Sequence, residues 1–291
     1  MKNQKLASVQ KQKKTSGFYE QSHKKATRRP AKEIAFKTLL LLIWTAATVI
    51  VSQLAVGYVM LLMLGREAFS QTIPLAVHSA LSYILALAWL LFATPRIVVV
   101  FNSKNRQKED EAPDDKKLMS NVVGREDLGL KGLPTWTDIG LAPVGFIVST
   151  LAAAGLAAIF SMFPWFDAEQ TQDIGFSTFL VGIDRIVAFV ILVVIAPIAE
   201  EVIFRGWLYG KIRRMLSEGV SEALSMTISI LLVSLLFGVV HMQWNVGVNV
   251  LALSVVLCGM REITGTIYAG ILTHMLKNGI AFFLLYVFGF G

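Results

Sequence analysis

The segment IVAFVILVVIAPIAEEVIFR, residues 186–205, decides the fold of this chain. A helix rises about 1.5 Å per residue, so about 20 residues cross the ~30 Å hydrocarbon core of a bilayer. The segment has that length, yet it contains Glu200, Glu201 and Arg205. An ionisable side chain at the centre of a membrane helix costs about 2.5–3.5 kcal/mol and marks a functional site by default. We therefore expect a membrane helix whose charged side chains find partners inside a bundle.

The composition extends this expectation to the whole chain. Of its 291 residues, 55% are hydrophobic and only 16% are charged, whereas about a quarter of the residues are charged in a soluble domain. The apolar residues form seven blocks, at 38–64, 73–101, 139–163, 179–213, 223–245, 246–260 and 265–290. The pattern predicts an all-α membrane protein, a polytopic transmembrane bundle of about seven helices, with an eighth left open.

Positive charge is concentrated at the N-terminus. Residues 1–37 contain eleven Lys or Arg against two Glu. This predicts a disordered cytoplasmic tail beside anionic headgroups rather than a nucleic-acid partner. Residues 102–124 form a charged cytoplasmic linker between a two-helix leader, residues 38–101, and the helices that follow.

The charged residues of the fourth block have a spacing that pairs two of them. Glu201 and Arg205 are four residues apart, so they share a helix face and can form an ion pair. Glu200 points about 100° away and is free for other contacts. In the alternative reading the helix ends at Ala199 and the acids lie among headgroups. The apolar residues after Arg205 favour the continuous helix.

Further polar groups interrupt later blocks: His241 in the sequence FGVVH, and His274 with Asn278 in HMLKN. His274 and Asn278 share a helix face, so an imidazole and a carboxamide can reach one substrate atom. The sixth block has only about 15 residues. We therefore expect the hairpin of blocks five and six to stop short of the outer surface, which places His241 at an intermediate depth.

Other reactive residue types receive no functional role. A lone histidine in a membrane helix serves about as often in a hydrogen bond between helices as in catalysis. We assign His78 and the tail residue His23 to the structural class. The single Cys258 excludes an intrachain disulfide and a cysteine metal cluster, and in its apolar run it is read as a packing residue.

Taken together, the motifs resemble those of a known family. The order Glu-Glu-x-x-x-Arg at 200–205, Phe-x-x-x-His at 237–241 and His-x-x-x-Asn at 274–278 is similar to that of the CPBP family of type II CAAX endopeptidases, intramembrane glutamic proteases. The resemblance covers residues 125–291, beginning with REDLGL, and marks them as a CPBP-like catalytic membrane core. Residues 1–124 resemble nothing we can name. Every motif position is filled, so nothing in the motifs predicts an inactive enzyme.

The resemblance implies hydrolysis of peptide bonds in a membrane-associated protein or peptide, in contact with the lipid bilayer and without an organic cofactor or metal. It implies six candidate catalytic residues: Glu200, Glu201, Arg205, His241, His274 and Asn278. Glu200 would be the general base with His241 as its partner, and His274 with Asn278 would form the oxyanion site. A plasma or inner membrane location with a cytoplasmic N-terminus is expected. Prenylated C-terminal peptides, leader peptides and membrane regulators stay open as substrates.

Three other interpretations remain. A zinc-dependent membrane protease would use Glu200, His241 and His274 as ligands, although no His-Glu-x-x-His spacing pre-arranges two of them. A transporter or proton relay also places acids and histidines in the membrane, but neither an inverted repeat nor paired broken helices is visible. A non-proteolytic scaffold or immunity protein would keep the same fold. The complete motifs argue against this third interpretation.

Overall fold

The computed structural model describes residues 30–96, 123–167, 176 and 180–289. Within these ranges seven helices are long and apolar enough to cross a membrane. They are α1 (Ala31–Leu64), α2 (Thr72–Arg96), α3 (Trp136–Phe160), α4 (Gly182–Ser217), α5 (Glu222–Val239), α6 (Trp244–Thr264) and α7 (Tyr268–Val287). The described residues contain no β-strand. The predicted all-α, multi-pass membrane architecture is confirmed.

The first helix begins earlier than predicted. α1 includes residues 31–37, which the sequence pattern assigned to the basic tail. Lys37 Nζ lies 2.5 Å from Glu33 Oε1 on the preceding turn, and such pairs stabilise an exposed helix end. The predictions for residues 1–29 and 97–122 fall outside the described ranges.

α4 is the central helix of the bundle. It packs against α1, α2, α5, α6 and α7, and every residue from Val202 to Tyr209 is buried. Two π-helical turns, Val190–Ile195 and Val202–Tyr209, flank the short segment with Glu200 and Glu201. π-Turns occur frequently at functional sites. The segment 186–205 therefore occupies the middle of the structure, where its charged groups have neighbours on several sides.

The α5–α6 hairpin differs from its prediction. α5 ends before His241 and α6 begins after it, so His241 lies in the turn rather than in a helix. α6 has 21 residues, and the prediction of a short sixth helix is wrong. Gly238 lets the two helices approach closely, because a Cβ there would lie 2.8 Å from the carbonyl oxygen of Gly247. The hydropathy pattern missed the turn because turn residues such as Met242 are themselves apolar.

The segment before α3 closes one end of the bundle. Leu128 is buried. Arg214 Nη2 donates to Asp127 Oδ1 at 2.9 Å, and this hydrogen bond lowers the pKa of the Asp127 carboxyl. The backbone N–H of Ile267 donates to the carbonyl oxygen of Gly129 at 3.1 Å. The loop thus connects the end of α4 with the beginning of α7, the two helices that carry most of the predicted site residues.

Candidate active site

A cavity of about 270 Å³ lies beside the middle of α4. Its wall contains residues from α1, α2, α4, α5, α6, α7 and the α5–α6 turn. The polar lining residues are Gln53, Tyr83, Glu200, His241, His274, Lys277, Asn278 and Tyr286. Four of the six predicted site residues therefore share one cavity. The other two, Glu201 and Arg205, are buried and do not line it.

Glu201 and Arg205 form the ion pair that their spacing predicted. Arg205 Nη1 donates to Glu201 Oε1 at 2.9 Å, and both side chains are at most 1% exposed. The same carboxylate oxygen accepts a hydrogen bond from His274 Nδ1 at 3.0 Å. The Arg205 guanidinium also lies over the Phe237 ring, 4.3 Å from its centre. α4 continues beyond these residues to Ser217, so the alternative of a helix that ends before the acids is wrong.

Glu200 points into the cavity, away from its neighbour. Its Oε1 accepts a hydrogen bond of 2.5 Å from the phenol of Tyr83 on α2. Its Oε2 lies 3.8 Å from His274 Nε2. The two nitrogens of His274 are thus directed at two different glutamates, Nδ1 at Glu201 and Nε2 at Glu200. Adjacent acids on one helix consequently have different surroundings, one sealed in the core and one on the cavity wall.

The tautomer of His241 follows from its contact with Phe237. His241 Nδ1 lies 2.7 Å from the carbonyl oxygen of Phe237, and a carbonyl oxygen only accepts, so Nδ1 carries the hydrogen. In a neutral imidazole Nε2 is then an acceptor. The four-residue spacing of the Phe-x-x-x-His motif is what brings this carbonyl within reach of the ring. The backbone therefore fixes the orientation of His241 in the turn.

Asn278 binds a carbonyl oxygen that Pro197 leaves free. In the preceding π-turn the N–H of Ala196 donates to the carbonyl of Ile191. The next donor in that register would be Pro197, which has no N–H. The carbonyl oxygen of Leu192 accepts from Asn278 Nδ2 instead, at 2.9 Å. One amide N–H of Asn278 is used in this way; the carboxamide has a second N–H, and the side chain lines the cavity.

The polar lining residues Gln53, Tyr83, Lys277 and Tyr286 were not predicted. Lys277 lies three residues after His274, on the same face of an apolar helix, and its charge in that position was a usable signal. Tyr83 belongs to the leader, for which no resemblance was found, and a tyrosine in a membrane helix is too ordinary to be singled out. His78 lies elsewhere: its Nε2 donates to the carbonyl oxygen of Gln53 at 3.1 Å, a bond between helices of the kind expected for it.

The three residues of the zinc alternative, Glu200, His241 and His274, line the same cavity. In the part of the chain that the structure describes, no three His, Cys, Asp or Glu side chains are grouped closely enough to hold a metal ion. His274 Nδ1 contacts Glu201, and a metal-binding histidine commonly makes such a contact with its other ring nitrogen. The choice between a glutamic and a zinc-dependent mechanism therefore stays a prediction.

One family comparison matches this part of the chain. Residues 182–280 match the sequence model of the family described as Type II CAAX prenyl endopeptidase Rce1-like. No curated protein and no solved structure matches the chain. The matched segment is about a third of the sequence and contains all six predicted site residues. The match confirms the resemblance to the CAAX-protease family and supports a membrane endopeptidase. Tyr83 lies outside the matched segment.

The buried ion pair predicts a stability defect in Glu201→Gln. The change leaves Arg205 charged in the core, and breaking a buried pair in this way costs about 3–5 kcal/mol. We expect a clearly lower thermal midpoint in detergent, with less loss of activity per folded molecule than Glu200→Gln causes. Asp127→Asn is the control, because its pair with Arg214 is exposed and such pairs contribute about 1 kcal/mol or less. Equal midpoints for the two variants would contradict this interpretation.

The Pro197 contact predicts that Pro197→Ala releases Asn278. The N–H of the alanine can donate to the Leu192 carbonyl oxygen in place of Asn278. A proline in a helix interior costs about 3 kcal/mol, so its removal should not destabilise α4. We expect unchanged or higher thermal stability together with an about 10-fold lower kcat, because displacing a catalytic group by about 1 Å can cost up to ~100-fold. Pro143→Ala, in the interior of α3, is the control. An unchanged kcat would show that Asn278 is held by other contacts.

Proposed function

We propose that this relative of the type II CAAX endopeptidases is an intramembrane endopeptidase of the glutamic type, acting on a membrane-associated protein or peptide. The observation that carries the proposal is the convergence of Glu200, His241, His274 and Asn278 on one cavity inside the bundle. Peptide hydrolysis requires a base, a site for water and donors for the oxyanion. We further propose a plasma or inner membrane location with the N-terminus in the cytoplasm, as the basic tail predicts.

Glu200 acts as the general base in this proposal. Tyr83 occupies its Oε1, so Oε2 is the oxygen that can accept from water. The acceptor Nε2 of His241 belongs to the same cavity. A water that donates to Oε2 and to this nitrogen is polarised for attack on a carbonyl carbon. General-base catalysis of this kind contributes about 10²–10⁴-fold to the rate.

His274 and Asn278 stabilise the oxyanion. His274 Nδ1 donates to Glu201, and its Nε2 is the ring nitrogen on the side of Glu200. In this proposal an N–H at Nε2 donates to the oxyanion. The second amide N–H of Asn278 is the other donor. In a water-excluded site, one such donor is worth about 2.7–4 kcal/mol in the transition state.

The proton and the charge balance within the cavity. As the water oxygen bonds to the carbonyl carbon, its proton passes to Glu200 and a tetrahedral oxyanion forms. When this intermediate collapses, the C–N bond breaks and Glu200 returns the proton to the leaving amine. Negative charge thus moves from Glu200 to the oxyanion and back. The side chain of Lys277 lines the same cavity and is a further hydrogen-bond donor beside that charge.

The substrate is proposed to be an apolar, membrane-associated peptide segment. The apolar part of the cavity wall consists of residues such as Val49, Leu192, Val250, Phe282 and Leu285, which suit apolar side chains beside the scissile bond. A prenylated C-terminal peptide fits the name of the matched family. A leader peptide and a membrane regulator are the other candidates, and one peptide library can contain all three.

The proposal predicts cleavage that depends on Glu200 and not on metal. Quenched fluorescent peptides of the three classes would be incubated in liposomes with wild type and with Glu200→Gln, each with and without a strong chelator. We expect Glu200→Gln to lose about 10²–10⁴-fold in kcat and the chelator to have no effect. His78→Ala is the matched control, a membrane histidine outside the cavity.

Each other outcome has a defined meaning. Loss of wild-type cleavage with chelator, restored by zinc, would move the assignment to a metalloprotease. Full activity of Glu200→Gln would remove Glu200 as the base. Absence of cleavage for every peptide class would contradict the endopeptidase proposal and favour a scaffold.

A further inference from the structure

Tyr83 connects the two-helix leader with the proposed base. It lies on α2, which packs along α4, and its phenol donates the 2.5 Å hydrogen bond to Oε1 of Glu200. The two residues are 117 positions apart, and Tyr83 lies outside the family match at 182–280. Part of the cavity wall beside Glu200 is therefore formed by a helix that the family match does not include.

We infer that Tyr83 is a positioning residue for Glu200, and that the leader thereby completes the active site. The inference rests on the proposed role of Glu200 as the base. It assigns a function to a part of the chain that neither the motifs nor the family match includes.

The geometry of the carboxylate is the first argument. A glutamate side chain has several rotatable bonds, and a base must hold one lone pair toward the water. Among the described residues, Tyr83 is the one group within hydrogen-bond distance of the Glu200 carboxylate, since His274 Nε2 is 3.8 Å away. The bond to Oε1 fixes the rotation of the carboxylate and leaves Oε2 for the water. Without it, Oε1 and Oε2 become interchangeable.

The chemistry of the phenol is the second argument. A hydrogen bond to an ionised carboxylate is about twice as strong as one between neutral groups, so the phenol of Tyr83 can hold Oε1 of a Glu200 that acts as a base. The phenol gives its single O–H to Glu200, so it has no further proton to offer the substrate. Tyr83 therefore acts through Glu200 rather than on the peptide, and its loss should affect catalysis more than binding.

A purely structural tie between leader and core is the competing explanation, and kinetics can separate the two. Tyr83→Phe keeps the ring and removes only the hydroxyl. We expect kcat to fall about 10-fold or more, with KM within about twofold and a modestly lower thermal midpoint, because one buried hydrogen bond is lost. Tyr58→Phe is the matched control, because Tyr58 is in the leader, 62% exposed, and absent from the cavity wall. A lower midpoint with kcat unchanged would overturn the inference in favour of the structural tie.

Infrared difference spectroscopy tests the same contact without a substrate. The spectrum of Tyr83→Phe minus wild type should contain a shifted carboxylate band, and that band should be missing when both proteins also carry Glu200→Gln. An identical difference spectrum in both backgrounds, or none, would overturn the inference. Failure of wild type to cleave any peptide would instead contradict the proposed function, while the spectrum still reports on Tyr83 and Glu200.

Discussion

The structure depends on the burial of Glu201 with Arg205 at the centre of α4. Both side chains are sealed from solvent and pair at 2.9 Å, and the same carboxylate fixes His274 from α7. Burying one charge alone would be prohibitive, so the pair has to form inside the bundle. Because the ion pair forms, the adjacent acid on α4, Glu200, is held in a fixed orientation on the cavity wall. Two adjacent glutamates thereby have separate tasks, one structural and one available for chemistry.

The cavity depends on helix irregularities as much as on motif residues. Pro197 interrupts the hydrogen bonding of α4, and the free carbonyl of Leu192 binds Asn278. Near the end of α5, the carbonyl oxygen of Phe237 accepts a hydrogen bond from Nδ1 of His241 in the turn that follows. In each case a backbone oxygen orients a side chain whose other polar atom is available to the cavity. Local departures from a regular helix are thus a means of orienting the proposed catalytic groups.

The sequence predicted the helix class, the Glu201–Arg205 pair and four of the residues around the cavity, because charged residues in apolar blocks are costly and four-residue spacing defines a helix face. The turn at His241 was not predicted, because turn residues such as Met242 are apolar. Tyr83 could not be predicted either, because its contact with Glu200 arises only when α2 packs on α4. Contacts between distant helices leave no local pattern, and the leader supplied no recognisable motif. The catalytic roles of the site residues stay predictions.

The most direct test of the central claim is a cryo-electron microscopy structure in lipid nanodiscs with a bound peptide whose scissile bond is replaced by a hydroxyethylene isostere. Its hydroxyl imitates the tetrahedral intermediate. The account predicts this hydroxyl in the cavity, within hydrogen-bond distance of Glu200 and of His274 or Asn278, with Tyr83 still bound to Glu200. A peptide bound outside the cavity, or a Glu200 turned away from the hydroxyl, would contradict it.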